Sequence, residues 1–383
     1  MKVLHIITVN NFGGAEKLML QLLPALNNAC TVDCLIFSKE ITAGSANNAA
    51  ASIADRLREK GITVFEKHYH SLRDKNALAA IRHVIGEGGY HLVHSHLKYP
   101  DVWLAWLRSG KKINLPVVTT IHGYNDAYQN QYGLAVRMSK LLLSPYYYLT
   151  RWTYKRLDAF ILISNIVASF FERSGLITSK KKEVIHHGYA GGPPVPYRPV
   201  GRDPQLAIPG RLLALKGHRF GIEAMGLLKT RGVNASLHIF GDGPERENIS
   251  RLIDEAGLND RVFLHGYVDD LSKRLTEMDI VLVPSLTEGF GLVVLDAFAA
   301  GRPLITFDLP ACNEIVRNEH NGLLATPYSA ASIAGCVERL MTDDTLAEKL
   351  VKAAYESLRV DFSMERMAGD YQRFYQQILS NRS

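Results

Sequence analysis

Residues 284–303 read Pro-Ser-Leu-Thr-Glu-Gly-Phe-Gly-Leu-Val-Val-Leu-Asp-Ala-Phe-Ala-Ala-Gly-Arg-Pro. The apolar run Ile280–Val283 just before it reads as a buried strand. Gly289 and Gly291 then flank a tight turn. From about Leu292 to Ala300 the pattern turns helical, and Gly301 and Pro303 stop it. One acid, Glu288, therefore sits on the loop at a strand's C-terminal end, and a second, Asp296, lies on the helix that follows. The amides of Gly291, Leu292 and Val293 open that helix, where negative charge is favoured. Two acids around an anion-binding helix start suit a ligand that carries both phosphate and hydroxyl groups, as a nucleotide sugar does.

The same strand, turn and helix alternation runs through the rest of the chain. Lys2–Val9 reads as a buried strand, Asn10–Gly14 as a glycine-rich turn, and Ala15–Asn27 as an amphipathic helix with Leu18, Leu22, Leu23 and Leu26 on one face. Further strands are expected at Val32–Phe37, Thr63–Phe65, Leu92–Ser95, Val117–Ile121 and Ala159–Ser164, and residues 41–52 read as a loop. The clearest boundary is Gly188–Pro204, with five prolines and four glycines. Beyond it the alternation restarts, with strands at Gln205–Ile208, Ser236–Phe240, Val262–Leu264, Ile280–Val283 and Pro303–Thr306. Such alternation implies parallel sheets covered by helices on both faces. The expected organisation is an α/β domain over residues 1–187, a linker over 188–204 and a second α/β domain over 205–362. A last segment, 363–383, holds a helix able to cross back to the first domain. Two doubly wound domains would place a ligand cleft between them, at the C-terminal edges of their strands.

Bulk composition agrees with two folded domains. The chain has 383 residues, 47% of them apolar, enough for two sizeable cores. Cys30, Cys34, Cys312 and Cys336 are too few and too scattered for a disulfide framework, so buried free thiols are expected. The opening residues read as a core strand rather than a leader, and no stretch has transmembrane length, so the expected setting is cytoplasmic. The net charge of +6 is unevenly spread. Residues 1–190 hold 23 Lys and Arg against 13 Asp and Glu, and the remainder holds 21 against 25. The first half is therefore expected to meet an anionic partner.

Several loops carry candidate chemistry. Gly13-Gly14 lets a bulky anion approach the first helix start. In Pro209-Gly210-Arg211-Leu212-Leu213-Ala214-Leu215-Lys216-Gly217, two permanent cations follow the first strand of the second domain. Arg211 as a planar fork and Lys216 as a point charge can neutralise a diphosphate and stabilise its departure. His122 closes the apolar strand Val117–Ile121 ahead of Gly123, where it can donate a hydrogen bond to a hydroxyl. His94 and His96 lack a local carboxylate or cysteine, so no metal site is expected there. His186 and His187 adjoin the linker. Gly241-Asp242-Gly243-Pro244 reads as a flexible turn or as a wall of the nucleotide pocket, and His265-Gly266-Tyr267-Val268 as a second wall in which Tyr267 flanks the base. Residues 137–157 mix Arg137, Lys140, Arg151, Lys155 and Arg156 with Tyr146–Tyr148, Trp152 and Tyr154, a composition suited to an anionic bilayer surface or to an ordinary packed helix pair. No nucleic-acid-binding motif accompanies these basic residues, so nucleic acid is not an expected partner.

In order and spacing these motifs resemble those of the family 4 glycosyltransferases of the GT-B fold. The resemblance is carried by Gly13-Gly14-Ala15-Glu16, His122-Gly123, Gly210-Arg211-Leu212 with Lys216-Gly217, Gly241-Asp242-Gly243-Pro244, Glu288 to Asp296 and Asn321-Gly322-Leu323-Leu324. It implies two Rossmann-like domains facing each other, with a nucleotide-diphosphate sugar mainly on the second and an acceptor on the first. It also implies transfer with retention of anomeric configuration and no metal or other cofactor. Arg211 and Lys216 would then hold the diphosphate, and Glu288 would contact the transferred sugar. The amides of Phe290, Gly291 and Leu292 would lie near sugar and phosphate, His122 by the sugar, and Gly14 above the phosphates. Asp296 stands where the family has a second glutamate for the ribose hydroxyls and is one methylene shorter, and His187 stands where many relatives have Asn. A cell-surface glycan, lipopolysaccharide or lipid-linked acceptor is expected from the basic, aromatic first half, with peripheral attachment to the inner membrane face through residues 137–157. Two rival readings are a nucleotide-sugar epimerase of the same architecture and a non-catalytic membrane-bound scaffold. The intact Arg211, Lys216 and Glu288 argue against the scaffold, and the absence of Asp-x-Asp argues against a metal-dependent transferase of the other common fold.

Overall fold

The computed structural model describes residues 1–10, 13–39, 48–123, 144–178, 181–190, 195–310 and 312–380. These form two units. The first contains the described residues up to Ala190 and those from Met364 onward, and the second contains those between.

The first unit is built on seven strands: β1 (Lys2–Val9), β2 (Thr31–Lys39), β3 (Thr63–Tyr69), β4 (Leu92–His96), β5 (Val117–Ile121), β6 (Ala159–Leu162) and β7 (Lys181–Val184). Their order is β3-β2-β1-β4-β5-β6-β7, with every pairing parallel. Strand order therefore reverses direction between β1 and β4, the point at which such sheets open a crevice at their C-terminal ends. The central strands are buried almost throughout because helices cover both faces, and they carry His5, His94, Ser95, His96, Thr119 and Thr120 among their apolar residues. Val3, Ile7 and Val9 of β1 are buried with Leu18, Leu22 and Leu26 of the helix Gly14–Asn27. The C-terminal helix Met364–Ser380 belongs to the same core, through Met367, Tyr371, Phe374 and Ile378. Strand β7 has no counterpart in the sequence reading. Its Lys-Lys-Glu-Val is a partly exposed edge strand, with no apolar run to betray it.

The second unit has six strands: β8 (Gln205–Pro209), β9 (Ser236–Phe240), β10 (Val262–Gly266), β11 (Ile280–Val283), β12 (Leu304–Phe307) and β13 (Leu323–Ala325). Their order, β10-β9-β8-β11-β12-β13, is again all parallel and reverses between β8 and β11. Leu206, Ile208, Leu237, Ile239, Ile280 and Leu282 form its buried centre. Of the loop expected at residues 41–52, the part from Asn48 belongs to the helix Asn48–Glu59, and residues 41–47 lie outside the described residues. All four cysteines are free thiols, and three are buried.

Candidate functional site

The reversal of strand order explains which loops of the second unit meet. Strands β8 and β11 are neighbours, with Ile280 opposite Leu206 and Val281 opposite Ala207, so the loops leaving their C-terminal ends emerge side by side. The first loop carries Arg211 and a short 3-10 turn, Ala214–Lys216, that leads into the helix His218–Thr230. The second carries Glu288 and leads into the helix Leu292–Ala299. The Leu286 amide donates to the Leu215 carbonyl at 2.8 Å and locks the two loops together. Gly217 makes this approach sterically open. Its φ is +69°, and a Cβ there would lie 1.9 Å from the Pro284 carbonyl oxygen.

That arrangement puts Lys216 Nζ 2.6 Å from Glu288 Oε1, in a pair whose side chains are 19% and 11% exposed. An ammonium has three donors, so two remain for other oxygens when one is held by Glu288. Gly291, at φ 101°, turns the chain into the helix Leu292–Ala299, and no side chain caps its first turn. The helix start therefore presents backbone donors and positive potential. Arg211 is exposed and has no side-chain partner among the described residues. Asp296 is buried on the same helix, and Phe290, two residues before the helix begins, is also buried.

The Gly241–Gly243 turn is anchored rather than loose. Gly241 at φ 148° lies so close to Gly210 that a Cβ would fall 2.0 Å from the Gly210 carbonyl oxygen. Its amide donates to the Gly266 carbonyl at 2.8 Å, and the Leu212 amide donates to the Asp242 carbonyl at 3.0 Å. The ends of β8, β9 and β10 are thus stitched into one rim. Tyr267, next in the chain, is 72% exposed. A cavity of about 200 Å³ nearby is lined by Leu213, Ala214, His218, Arg219, Glu245 and Leu286, among others, and by none of Arg211, Lys216 or Glu288. It is smaller than the pockets that enclose drug-sized ligands.

In the first unit, Gly13 and Gly14 are exposed at the start of the helix Gly14–Asn27. Glu16 turns back to accept the Gly13 amide at 3.0 Å, and burial raises its carboxyl pKa. His122 follows β5 and is partly exposed, but its Nε2 reaches inward to His96 Nδ1 at 3.1 Å. His94 falls within the strand expected at Leu92–Ser95. It lies inside β4, fully buried, with His5 opposite it on β1. Burial pulls the imidazole pKa to about 3 for His5 and His187 and about 4 for His122, and places His94 and His96 well below the ordinary value, so all five are neutral. His5, His94 and His96 are close enough to share a metal ion. Their ring nitrogens lie within hydrogen-bond distance of one another, Tyr375, Thr120 and His122.

The sequence reading missed His5, Thr120, Tyr371 and Tyr375. A histidine in the middle of an apolar strand was the one available signal. Of the basic-aromatic segment, residues 137–143 lie outside the described residues. Its remainder forms the helix Pro145–Tyr154, with Tyr147, Thr153 and Tyr154 buried, Tyr148 exposed, and the Arg156 guanidinium 4.2 Å over the Trp152 ring.

Comparison with known proteins fits this geometry. Residues 12–190 match the model of Glycosyltransferase Family 4, and residues 196–357 match that of Glycosyl transferases group 1. The chain belongs to the family 4 glycosyltransferases. Among curated relatives, the alpha-D-kanosaminyltransferase of Streptomyces kanamyceticus is 31% identical over 168 residues, 42% of this chain and 44% of that protein. The lipopolysaccharide core biosynthesis glycosyltransferase LpsE of Rhizobium meliloti is 30% identical over 162 residues, 42% of this chain and 46% of that protein. The chain thus matches under half the length of these relatives. Over the whole length the fold resembles that of Anabaena HepE, solved with UDP, at a TM-score of 0.77 and 17% identity, covering 98% of this chain and 100% of that one. A glycosyltransferase from Rickettsia africae is similar at a TM-score of 0.75 and 20% identity, covering 99% of each chain. The GT-B fold class expected from the sequence is therefore the fold of this chain. No helix among its described residues is long and apolar enough to cross a membrane.

Proposed function

We propose that this glycosyltransferase moves a sugar from a nucleotide-diphosphate donor to an acceptor hydroxyl with retention of anomeric configuration and without a metal ion. The observation that carries the reading is the partly buried Lys216–Glu288 pair beside an uncapped helix start, at the switch point of the second sheet. In this reading Lys216 directs its two remaining N–H bonds at diphosphate oxygens, and Arg211 closes on them from solvent as a planar fork. Glu288 keeps the ammonium in place before the donor arrives and accepts a hydrogen bond from a hydroxyl of the transferred sugar. The amides of Phe290, Gly291 and Leu292 add donors near sugar and phosphate.

The acceptor hydroxyl attacks the anomeric carbon on the face from which the diphosphate leaves. The bond from that carbon to the phosphate oxygen breaks, and that oxygen takes the hydroxyl proton. The charge that grows on the diphosphate meets the held Lys216 ammonium and a helix dipole already in place, with Arg211 added on donor binding, so little reorganisation opposes the step. Asp296 serves the ribose, and Tyr267 and the Gly241 rim wall the nucleotide; on the first unit, His122 and Gly14 are the proposed ligand contacts. UDP bound to HepE and the lipopolysaccharide role in the name of LpsE support a nucleotide-sugar donor and a glycan or lipid-linked acceptor. The exposed Tyr148, Arg151 and Lys155 support attachment to an anionic membrane face.

A screen of nucleotide sugars for protection against thermal unfolding, followed by NMR of the products with and without acceptor, tests the reading. Donor protection and an α-for-α product that forms in EDTA are expected. A new free sugar epimer from donor alone would instead identify an epimerase.

A further inference from the structure

Three central strands and the C-terminal helix build one continuous hydrogen-bonded chain inside the first unit. His5 lies opposite His94 across β1 and β4, and Thr120 lies opposite His96 across β4 and β5. Tyr371 and Tyr375, four residues apart on the helix Met364–Ser380, cover them. From the rim inward, His122 Nε2 meets His96 Nδ1 at 3.1 Å, and His96 Nε2 meets His5 Nδ1 at 3.0 Å. His5 Nε2 meets the Tyr375 hydroxyl at 3.4 Å, and that hydroxyl also meets His94 Nδ1. His94 Nε2 meets Thr120 Oγ1 at 2.8 Å, and Thr120 Oγ1 meets the Tyr371 hydroxyl at 3.1 Å. Every member except His122 is buried.

Each neutral imidazole carries one N–H and one acceptor nitrogen, so His122 either donates into the chain or accepts from it. In one case His122 donates from Nε2, the histidines pass a donor inward, and the chain ends on a hydroxyl, that of Tyr375, Thr120 or Tyr371. The hydrogen of that hydroxyl then has no acceptor, because none of the three has a hydrogen-bond partner outside the chain among the described residues. In the other, Tyr371 donates to Thr120, Thr120 to His94, His94 to Tyr375, Tyr375 to His5, His5 to His96 and His96 to His122. All buried donors are then satisfied, and the remaining N–H emerges on His122 Nδ1 at the partly exposed end. A buried hydroxyl donor without an acceptor disfavours the first polarity by about tenfold or more.

We propose that this chain fixes His122 as its Nδ1–H tautomer, so that the ring offers a hydrogen-bond donor to a ligand oxygen at the C-terminal rim of the first sheet. His5, His94, His96, Thr120, Tyr371 and Tyr375 are positioning residues. That the oxygen belongs to a sugar rests on the function proposed above. The tautomer itself does not.

Long-range ¹H–¹⁵N spectra of the full-length, histidine-labelled protein test it, with the His122 signals assigned by their loss in His122→Gln. The wild type is expected to show the Nδ1–H pattern at His122. Thr120→Ser, which keeps the hydroxyl, retains it. Tyr375→Phe, which keeps the ring but cuts the chain at His5 and His94, gives a mixture of tautomers. With the donor identified, Tyr375→Phe also lowers kcat/KM by about tenfold. An Nε2–H pattern in the wild type, or an unchanged single tautomer in Tyr375→Phe, would overturn the proposal. A normal tautomer response with no change in sugar transfer would instead count against the role of His122 toward the sugar.

Discussion

The two sheets share one topology and equip it in opposite ways. Each reverses strand order at its middle, between β1 and β4 in the first unit and between β8 and β11 in the second. In the second unit the loops at that point carry permanent charges, with Lys216 held by Glu288 and an uncapped helix start close by in sequence. In the first unit the strands at that point carry neutral imidazoles and hydroxyls, buried and hydrogen-bonded to one another. Topology sets where a site can form, and the loop and strand residues decide its chemistry. Fixed cations suit a diphosphate whose charge grows during reaction. Neutral donors of fixed polarity suit hydroxyl groups that stay uncharged.

The largest break in this comparison should come from Lys216→Ala. If the charged switch point stabilises the leaving group, sugar transfer falls by about 10²–10³-fold, while thermal melting shows a folded protein. Near-normal turnover would remove the distinction between the two units. Next in size is Gly217→Ala. The positive φ and the Pro284 carbonyl at 1.9 Å from the added Cβ leave no room without moving one loop off the other. A stability loss of about 1–3 kcal/mol is expected from the strained backbone, with a further contribution from the clash, read from denaturant unfolding.

A smaller effect sharpens the contrast through pH. His5, His122 and His187 hold pKa values of about 3, 4 and 3, and His94 and His96 lie well below 6.5. The unfolded chain takes up protons in this window that the folded first unit does not. Stability from these groups is therefore fully present above about pH 6.5 and is lost as pH falls toward 4. Asp101, whose buried carboxyl is pushed up to about 7, acts in the opposite sense, as do Glu16 and Glu183, whose carboxyl pKa values burial raises, but these are three groups against five. The three tryptophans, Trp103, Trp106 and Trp152, all lie in the first unit, so their fluorescence should report its unfolding on acidification through this range. A signal flat from pH 7 to 4 would show that the imidazoles are not buried as described.

Much of the second unit was legible from sequence because its signals are local. The run Ile280–Val283, the turn at Gly291 and the helix to Ala299 lie within twenty residues, each with its own periodicity or breaker. That Lys216 and Glu288 would bond to each other was not legible. They are 72 positions apart and meet only because β11 lies beside β8. The imidazole chain was harder still. His5 and Tyr375 are 370 positions apart, and their contact needs both the adjacency of β1 and β4 and the docking of the last helix on that face. The anchoring of Gly241 was hidden for a related reason, since a glycine in a turn looks the same whether it is free or pressed against Gly210.

The central claim is that the switch point of the second sheet grips a pyrophosphate through Lys216. Calorimetric titration of the wild type and of Lys216→Ala with UDP, ADP and GDP tests it most directly. At least one nucleotide should bind the wild type, with affinity falling about tenfold or more in Lys216→Ala, as the loss of a charge-assisted hydrogen bond requires. Equal affinity in the two proteins, or no binding of any of the three to the wild type, would contradict it.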